Sequence, residues 1–306
     1  MTSTANPYLH VALRRRQVLA VIGAYVALTK PRIIELLLVT TVPAMLLAGR
    51  SLPSIGLLAT TLIGGALAAG SANALNCYLD RDIDSIMHRT ANRPLSRSAV
   101  SPTSALIFGL ILGAVSVIEF WITANWLSAV LAFGAIAFYV LIYTALLKRR
   151  TSSNIVWGGA AGCMPVLIGW SAVTGSLAWA PFVLFGIVFL WTPPHFWALA
   201  MQFREDYAAA NVPMLPVVAS PAFVAGRIAT YSCAMVTVSL LLWPVAHLNA
   251  VYPVLAAVLG GLFLREAFGM RSRVLSGADI QPMRLFHWSI TYLSLLFLTV
   301  AVTALW

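Results

Sequence analysis

Asn76, Asp80 and Asp84 stand four residues apart at the foot of a long apolar run, in Asn76-Cys77-Tyr78-Leu79-Asp80-Arg81-Asp82-Ile83-Asp84. The chain has nine acidic residues in 306, and three of the nine fall within five positions here. Acid in or beside a bilayer is costly and tends to be retained for ions, protons or substrates. On a helix these three side chains project from one face, each four-residue step rotating only about 40°. Asp80 and Asp84 then lie roughly 6 Å apart along the axis. Two carboxylates so placed suit Mg²⁺ held against a diphosphate, because Mg²⁺ takes one or two protein carboxylates and fills its shell with phosphate oxygens and water.

Composition says what kind of element must position them. Hydrophobic residues make up 60% of the chain and charged residues 9%, against roughly 25% charged in a soluble domain. Mean hydropathy is +0.89. A soluble fold would need a larger core than this chain can enclose, so the sequence predicts an all-α polytopic membrane bundle. Cys77, Cys163 and Cys233 show no metal-ligand spacing and read as small packing residues, not disulfides. No cleavable signal peptide is evident, because the apolar stretch after Arg14-Arg15-Arg16 soon meets Lys30-Pro31-Arg32.

Apolar runs of about 20 residues, enough to cross a bilayer, fall near 25–49, 54–77, 102–123, 126–147, 154–173, 179–201, 222–243, 246–266 and 285–306. The first contains Lys30, Pro31 and Arg32, so its membrane part is expected to begin near Ile33. Residues 1–24 read as a cytoplasmic N-terminal tail and 25–306 as one intramembrane domain. The N-terminus and the even-numbered connections hold eighteen of the nineteen Lys and Arg residues, leaving only Arg50 for the odd ones. The positive-inside rule then puts the N-terminus in the cytoplasm and, after nine crossings, Trp306 on the far side. This distribution accounts for the formal charge of +10 without nucleic acid. Eight of the nine acids map to the same cytoplasmic half, with Glu119 the exception. Orientation does not explain that clustering, since Asp and Glu contribute little to it.

Two connections share a design. Each starts with acids and an arginine at a span end, Asp80-Arg81-Asp82-Ile83-Asp84 in one and Arg204-Glu205-Asp206-Tyr207 in the other. Each continues with prolines, Asn92-Arg93-Pro94-Leu95 and Val212-Pro213-Met214-Leu215-Pro216. A single acidic helix end is as readily a solvated loop with local salt bridges; two matched ends point to a joint site. Carboxylates holding Mg²⁺, with Arg or Lys neutralising the remaining phosphate charge, would stabilise the breaking C–O bond of an allylic diphosphate. The allylic cation would be sheltered from water between apolar and aromatic helices.

The spacing Asn76-x3-Asp80-x3-Asp84 resembles the first Asp-rich motif of the UbiA-type intramembrane prenyltransferases, which are nine-helix bundles. Further stretches are similar to the haem-farnesylating branch of that superfamily. They are Thr29-Lys30-Pro31-Arg32, Arg89-Thr90-Ala91-Asn92-Arg93-Pro94-Leu95, Tyr143-Thr144 with Leu147-Lys148-Arg149, and Asn154-Ile155-Val156-Trp157-Gly158-Gly159. Thr192-Pro193-Pro194-His195-Phe196-Trp197 and Glu205-Asp206-Tyr207 with Val212-Pro213-Met214-Leu215-Pro216 complete the set, which spans about residues 25–300. The resemblance implies transfer of a farnesyl group from farnesyl diphosphate to a vinyl group of protohaem IX (haem B), with water added, giving haem O and diphosphate. It implies Mg²⁺ as cofactor, Asn76, Asp80 and Asp84 as metal and diphosphate residues, and Asp206 as the second-motif catalytic residue. It also implies a cell (inner) membrane location with the site facing the cytoplasm, and a haem A synthase or terminal oxidase assembly as receiver of the product. One departure stands out. The superfamily's second motif has two acids four apart, whereas Gln202 and Ala210 flank Asp206 at that spacing. Asp206 therefore either binds a second ion or orients an arginine or Tyr207.

Arg93 and Lys148 lead the diphosphate cations, followed by Arg32 and Arg81; the alternative for each is orientation signal or headgroup contact. Asp82, about 200° from Asp80, is expected to face solvent or pair with an arginine. His195 follows Pro193-Pro194, which remove backbone donors and can open the helix; it reads as a haem contact or as a polar contact within the bundle. His88 reads as a haem-propionate contact or as a solvated loop residue. Two other functions compete. A UbiA-type enzyme acting on an aromatic quinone precursor is disfavoured by the missing second acid pair. An ion-coupled secondary transporter would hold its acids near mid-membrane, not at span ends.

Overall fold

The computed structural model describes the backbone of residues 7–306 and the side chains of residues 17–31 and 39–306. Helices account for every regular element among them: α1 (Pro7–Thr29), α2 (Pro31–Gly49), α3 (Ile55–Leu79), α4 (Arg81–Ile86), α5 (Pro102–Thr123) and α6 (Trp126–Ala137). α6 continues as a π-helix over Phe138–Leu147. Then come α7 (Asn154–Thr174), α8 (Trp179–Gln202), α9 (Arg204–Ala209), α10 (Leu215–Val218), α11 (Pro221–Ala246), α12 (Val251–Leu275) and α13 (Pro282–Ala304). Among the described residues, eight helices are long and apolar enough to cross a membrane. This is a multi-pass bundle.

Helix starts follow local chemistry. Ser101 and Ser220 accept from the backbone N–H of Ser104 and Phe223 at 3.1 and 3.3 Å, and each is followed by proline in the first turn. A side-chain oxygen thus satisfies one orphan donor while proline fills a position that needs none. The first apolar run divides differently from the expected span at 25–49. Residues 25–29 complete α1, Lys30 takes a left-handed conformation (φ 53°), and α2 starts at Pro31. Proline disfavours the α region for the residue before it, so the helix has to break there. α12 runs nine residues past the expected end at 266, with Asn249 and a left-handed His247 making the turn before it. α8 passes through Pro193-Pro194 unbroken, so the opening that those prolines can cause does not occur there.

The main core joins α2, α7, α8, α11, α12 and α13. A second apolar cluster carries Ala24 and Leu28 of α1 against Ala74 and Cys77 of α3. Asn73 Nδ2 donates to Thr29 O at 2.9 Å, tying the end of α1 to α3 beside Lys30. α3 and α5 approach closely, with Ser71 Oγ donating to Gly109 O at 2.7 Å and Ser116 Oγ to Gly64 O at 2.8 Å. Small residues permit such contact between membrane helices. All three cysteines are free.

The π-helical stretch rests on α7 through a glycine. A Cβ on Gly158 would lie 2.1 Å from Tyr143 Cδ2, so the tyrosine ring occupies the space a side chain would need. Gly158→Ala is expected to cost about 1–3 kcal/mol, the usual scale of overpacking. It should lower the thermal midpoint in detergent; an unchanged midpoint would show that Tyr143 does not depend on that gap.

Candidate active site

α3 ends at Leu79 and α4 begins at Arg81, yet the backbone keeps its four-residue rhythm across the joint. Asp80 N donates to Asn76 O and Asp84 N to Asp80 O, both at 2.9 Å. Asn76, Asp80 and Asp84 are all buried, at 3%, 0% and 3% exposure, while Asp82 is exposed. Sequence spacing and structure agree on which acids turn inward.

Each buried carboxylate meets a cation. Lys148 Nζ pairs with Asp80 Oδ2, and Arg93 Nη1 with Asp84 Oδ2, each at 2.5 Å. Arg149 Nη2 stands 3.8 Å from Asp80 Oδ1. Asn76 links the set, donating to Asp80 Oδ2 at 2.6 Å and to Thr144 Oγ1 at 3.1 Å while accepting from Lys30 Nζ at 2.8 Å. The π-helix supplies Thr144 and is capped by Lys148. Its wider turn is seen in Lys148 N donating to Tyr143 O at 2.8 Å, five residues back. Such segments are rare and frequently found at functional sites.

Charge and burial shape the ionisation of groups beside the site. Burial pulls the Lys30 ammonium down to about 8. The Arg149 guanidinium, donating to both Asp82 oxygens at 2.6 Å, holds that carboxyl down at about 2. Asp82 thus pairs with an arginine in solvent, as its angular position requires. An open cavity of about 360 Å³ lies beside this pair, lined by Leu79, Arg81, Asp82, Thr144, Ala145 and Arg149.

The other expected residues divide. Arg81, the first residue of α4, turns back on the end of α3, donating to Tyr78 O at 2.7 Å with its guanidinium 4.8 Å from that ring centre. Arg32 lies outside the described side chains. Asp206 is half-buried and accepts the backbone N–H of Arg89 at 3.0 Å. His195 stacks between Trp191 and Phe286, with ring centres 4.2 and 4.4 Å away, and its Nδ1 is 2.7 Å from Ser289 Oγ. That is the polar contact of a packed bundle. His88 is exposed in its loop.

Lys30, Thr144, Arg89 and Arg149 join the site; the sequence placed them in the stretches that carry the resemblance but gave none of them a site role. Lys30 had a signal: a lone lysine before proline at the end of an apolar run marks a break that carries a charge. Among the described residues, no three His, Cys, Asp or Glu side chains converge as a metal cluster. The oxygen donors Asn76, Asp80 and Asp84 still suit a hard cation whose shell is completed by phosphate. Asp80 Oδ1 is buried without a hydrogen-bond partner, so one carboxylate oxygen remains for such an ion.

Known proteins share both sequence and fold with this chain. The sequence pattern of the UbiA prenyltransferase family matches residues 37–290. A protoheme IX farnesyltransferase of Frankia alni is 62% identical over 285 residues, covering 93% of this chain and 99% of its own length. That of Streptomyces coelicolor is 57% identical over 284 residues, covering 92% of this chain and 90% of its own. A UbiA homologue from Archaeoglobus fulgidus, solved bound to GPP and Mg²⁺, superposes with a TM-score of 0.71 at 16% identity, covering 92% of this chain and 99% of that one. A digeranylgeranylglyceryl phosphate synthase structure gives 0.76 at 16% identity, covering 93% and 99%. At that identity these structures speak for the fold. The chain belongs to the UbiA prenyltransferase family, in its protoheme IX farnesyltransferase branch.

Proposed function

We propose that this protein farnesylates protohaem IX at the site built on Asn76, Asp80 and Asp84. Farnesyl diphosphate and haem B, with water, give haem O and diphosphate. The observation that carries the reading is 62% identity to a protoheme IX farnesyltransferase along 99% of that relative's length. Quinone-precursor prenylation and ion-coupled transport have no comparable support.

The chemistry follows from the residues. The bond between farnesyl C1 and the ester oxygen of the diphosphate breaks, leaving an allylic cation and a leaving group gaining negative charge. Lys148 and Arg93 supply fixed positive charge there, and fixed charge in a water-poor site stabilises a transition state more than it does in water. Asp80 and Asp84, with Asn76, would hold Mg²⁺. When bound, that ion neutralises the diphosphate and lowers the barrier to its departure. Lys30 and Thr144 hold the Asn76 amide in one orientation, through contacts of 2.8 and 3.1 Å. Tyr139 and Tyr143, with ring centres 5.2 Å apart, stand on the π-helical stretch that leads to Lys148. Aromatic faces there attract an allylic cation and keep water from it. The vinyl terminus attacks C1, the new cation beside the porphyrin takes up water, and a proton leaves.

In this reading α2 is the first of nine crossings, with the N-terminus and the diphosphate site on the cytoplasmic side of the cell (inner) membrane. The charge distribution supports that orientation: Lys30, Arg81, Arg93, Lys148, Arg204 and Arg284 flank spans at one end of the bundle, and Arg50 sits at the other. The product is then available to a haem A synthase or a terminal oxidase in the same membrane.

Membranes holding the protein, given haem B, farnesyl diphosphate and Mg²⁺, should yield a haem heavier by one farnesyl group plus water; its absence would contradict the reading. Asp80→Ala and Asp84→Ala should each abolish turnover while the protein still inserts, and chelating Mg²⁺ should do the same. Near-normal turnover in either variant would remove the metal role. Lys148→Met should cost about 3–5 kcal/mol because it leaves a buried charge unpaired. Adding Asp80→Asn should restore most of the thermal midpoint without restoring activity. A double variant as unstable as the single one would show that the buried pair is not the cause.

A further inference from the structure

Asp206 lacks the second acid that would complete a metal-binding pair on its helix, since Gln202 and Ala210 occupy the positions four residues away. Its neighbours Gln202 and Glu205 are exposed, while its own Oδ2 accepts the Arg89 backbone N–H at 3.0 Å. The contact bridges 117 residues and joins the two matched loops. Around it, Arg89 Nη2 donates to Tyr207 Oη at 2.8 Å, and the guanidinium lies 5.4 and 5.5 Å from the Phe203 and Tyr207 ring centres. Beneath it, Ile83 and Met87 pack with Tyr207, Val212 and Met214 in one apolar cluster.

We propose that Asp206 is a positioning residue, a clasp that pins the loop after α4 so that Arg93 stays against Asp84. The loop transmits position through its own turns. Thr90 N donates to Met87 O at 3.1 Å, and Arg93 N to Thr90 O at 2.9 Å. Thr90 Oγ1 donates to Asp84 O at 2.9 Å, so the loop is fixed at Thr90 and, one residue earlier, at Arg89 by Asp206. Four residues beyond Arg89, Arg93 reaches Asp84. Asp206 thereby acts on the diphosphate through Arg93 and not as a ligand to an ion. A backbone N–H needs only an acceptor oxygen, which asparagine retains; a Mg²⁺ ligand needs the carboxylate charge.

This inference rests on the diphosphate-site reading above, and binding of a prenyl diphosphate separates the two. The probe is farnesyl thiolodiphosphate with Mg²⁺, titrated into the full-length protein in detergent. Asp206→Ala should weaken binding about tenfold, the scale of one lost hydrogen bond. Asp206→Asn should stay within about threefold of wild type at an unchanged Mg²⁺ requirement, because the acceptor remains. In an Arg93→Ala background, Asp206→Ala should add little, since residues acting through one another are not additive. Asp206→Asn as weak as Asp206→Ala with a raised Mg²⁺ requirement, or effects that multiply with Arg93→Ala, would overturn the clasp. Wild-type protein that binds the probe but makes no farnesylated haem would overturn the acceptor assignment alone; wild-type protein that fails to bind would overturn both.

Discussion

A carboxylate with no solvent exposure sits where α3 ends, and much of the structure answers the demand it makes. A buried charge left unpaired is prohibitive, and a paired one is tolerated only when its oxygens also find hydrogen bonds. Asp80 obtains an ammonium from Lys148 and an amide N–H from Asn76. Lys148 reaches it from the end of a π-helical stretch, and that stretch lies against α7 because Gly158 makes room for Tyr143. Asn76 in turn is oriented by Lys30, which is placed by the break between α1 and α2. Helix termini distant in sequence are thus bound into one charged centre.

The same centre ties down the loops at this end of the bundle. Arg93 brings the loop after α4 onto Asp84, and Arg89 brings it onto Asp206 and Tyr207. Apolar packing of Ile83 and Met87 against Val212 and Met214 lies beneath these polar contacts. Among the described residues, the far end of the bundle has only short turns. The proposed diphosphate site therefore coincides, among the described residues, with the end where long loops fold back over helix termini.

Local pattern made part of this legible. The four-residue rhythm of Asn76, Asp80 and Asp84 sets which acids turn inward, and the opposite angle sends Asp82 to an exposed arginine. The apolar runs marked the long helices because membrane spans must satisfy their own backbone. The rest depended on pairings that sequence does not encode locally. Thr144 meets Asn76 across 68 residues, and Arg89 meets Asp206 across 117. A π-helical turn leaves no periodic trace in an all-apolar stretch, so the offset that aims Lys148 was invisible. The break at Lys30 was foreshadowed by its proline, whereas the unbroken course of α8 through Pro193-Pro194 was not, because burial within the core overrides local preference there.

The central claim is that diphosphate and its metal sit on Asp80 and Asp84, with Lys148 and Arg93 closing the charge. The direct measurement is a structure of the protein with farnesyl thiolodiphosphate and Mn²⁺ in place of Mg²⁺, the metal located by its anomalous scattering. The account expects the Mn²⁺ peak against the Asp80 and Asp84 carboxylates, with diphosphate oxygens on Lys148 and Arg93. A metal and diphosphate bound elsewhere, with the Asp80–Lys148 and Asp84–Arg93 pairs untouched, would contradict it.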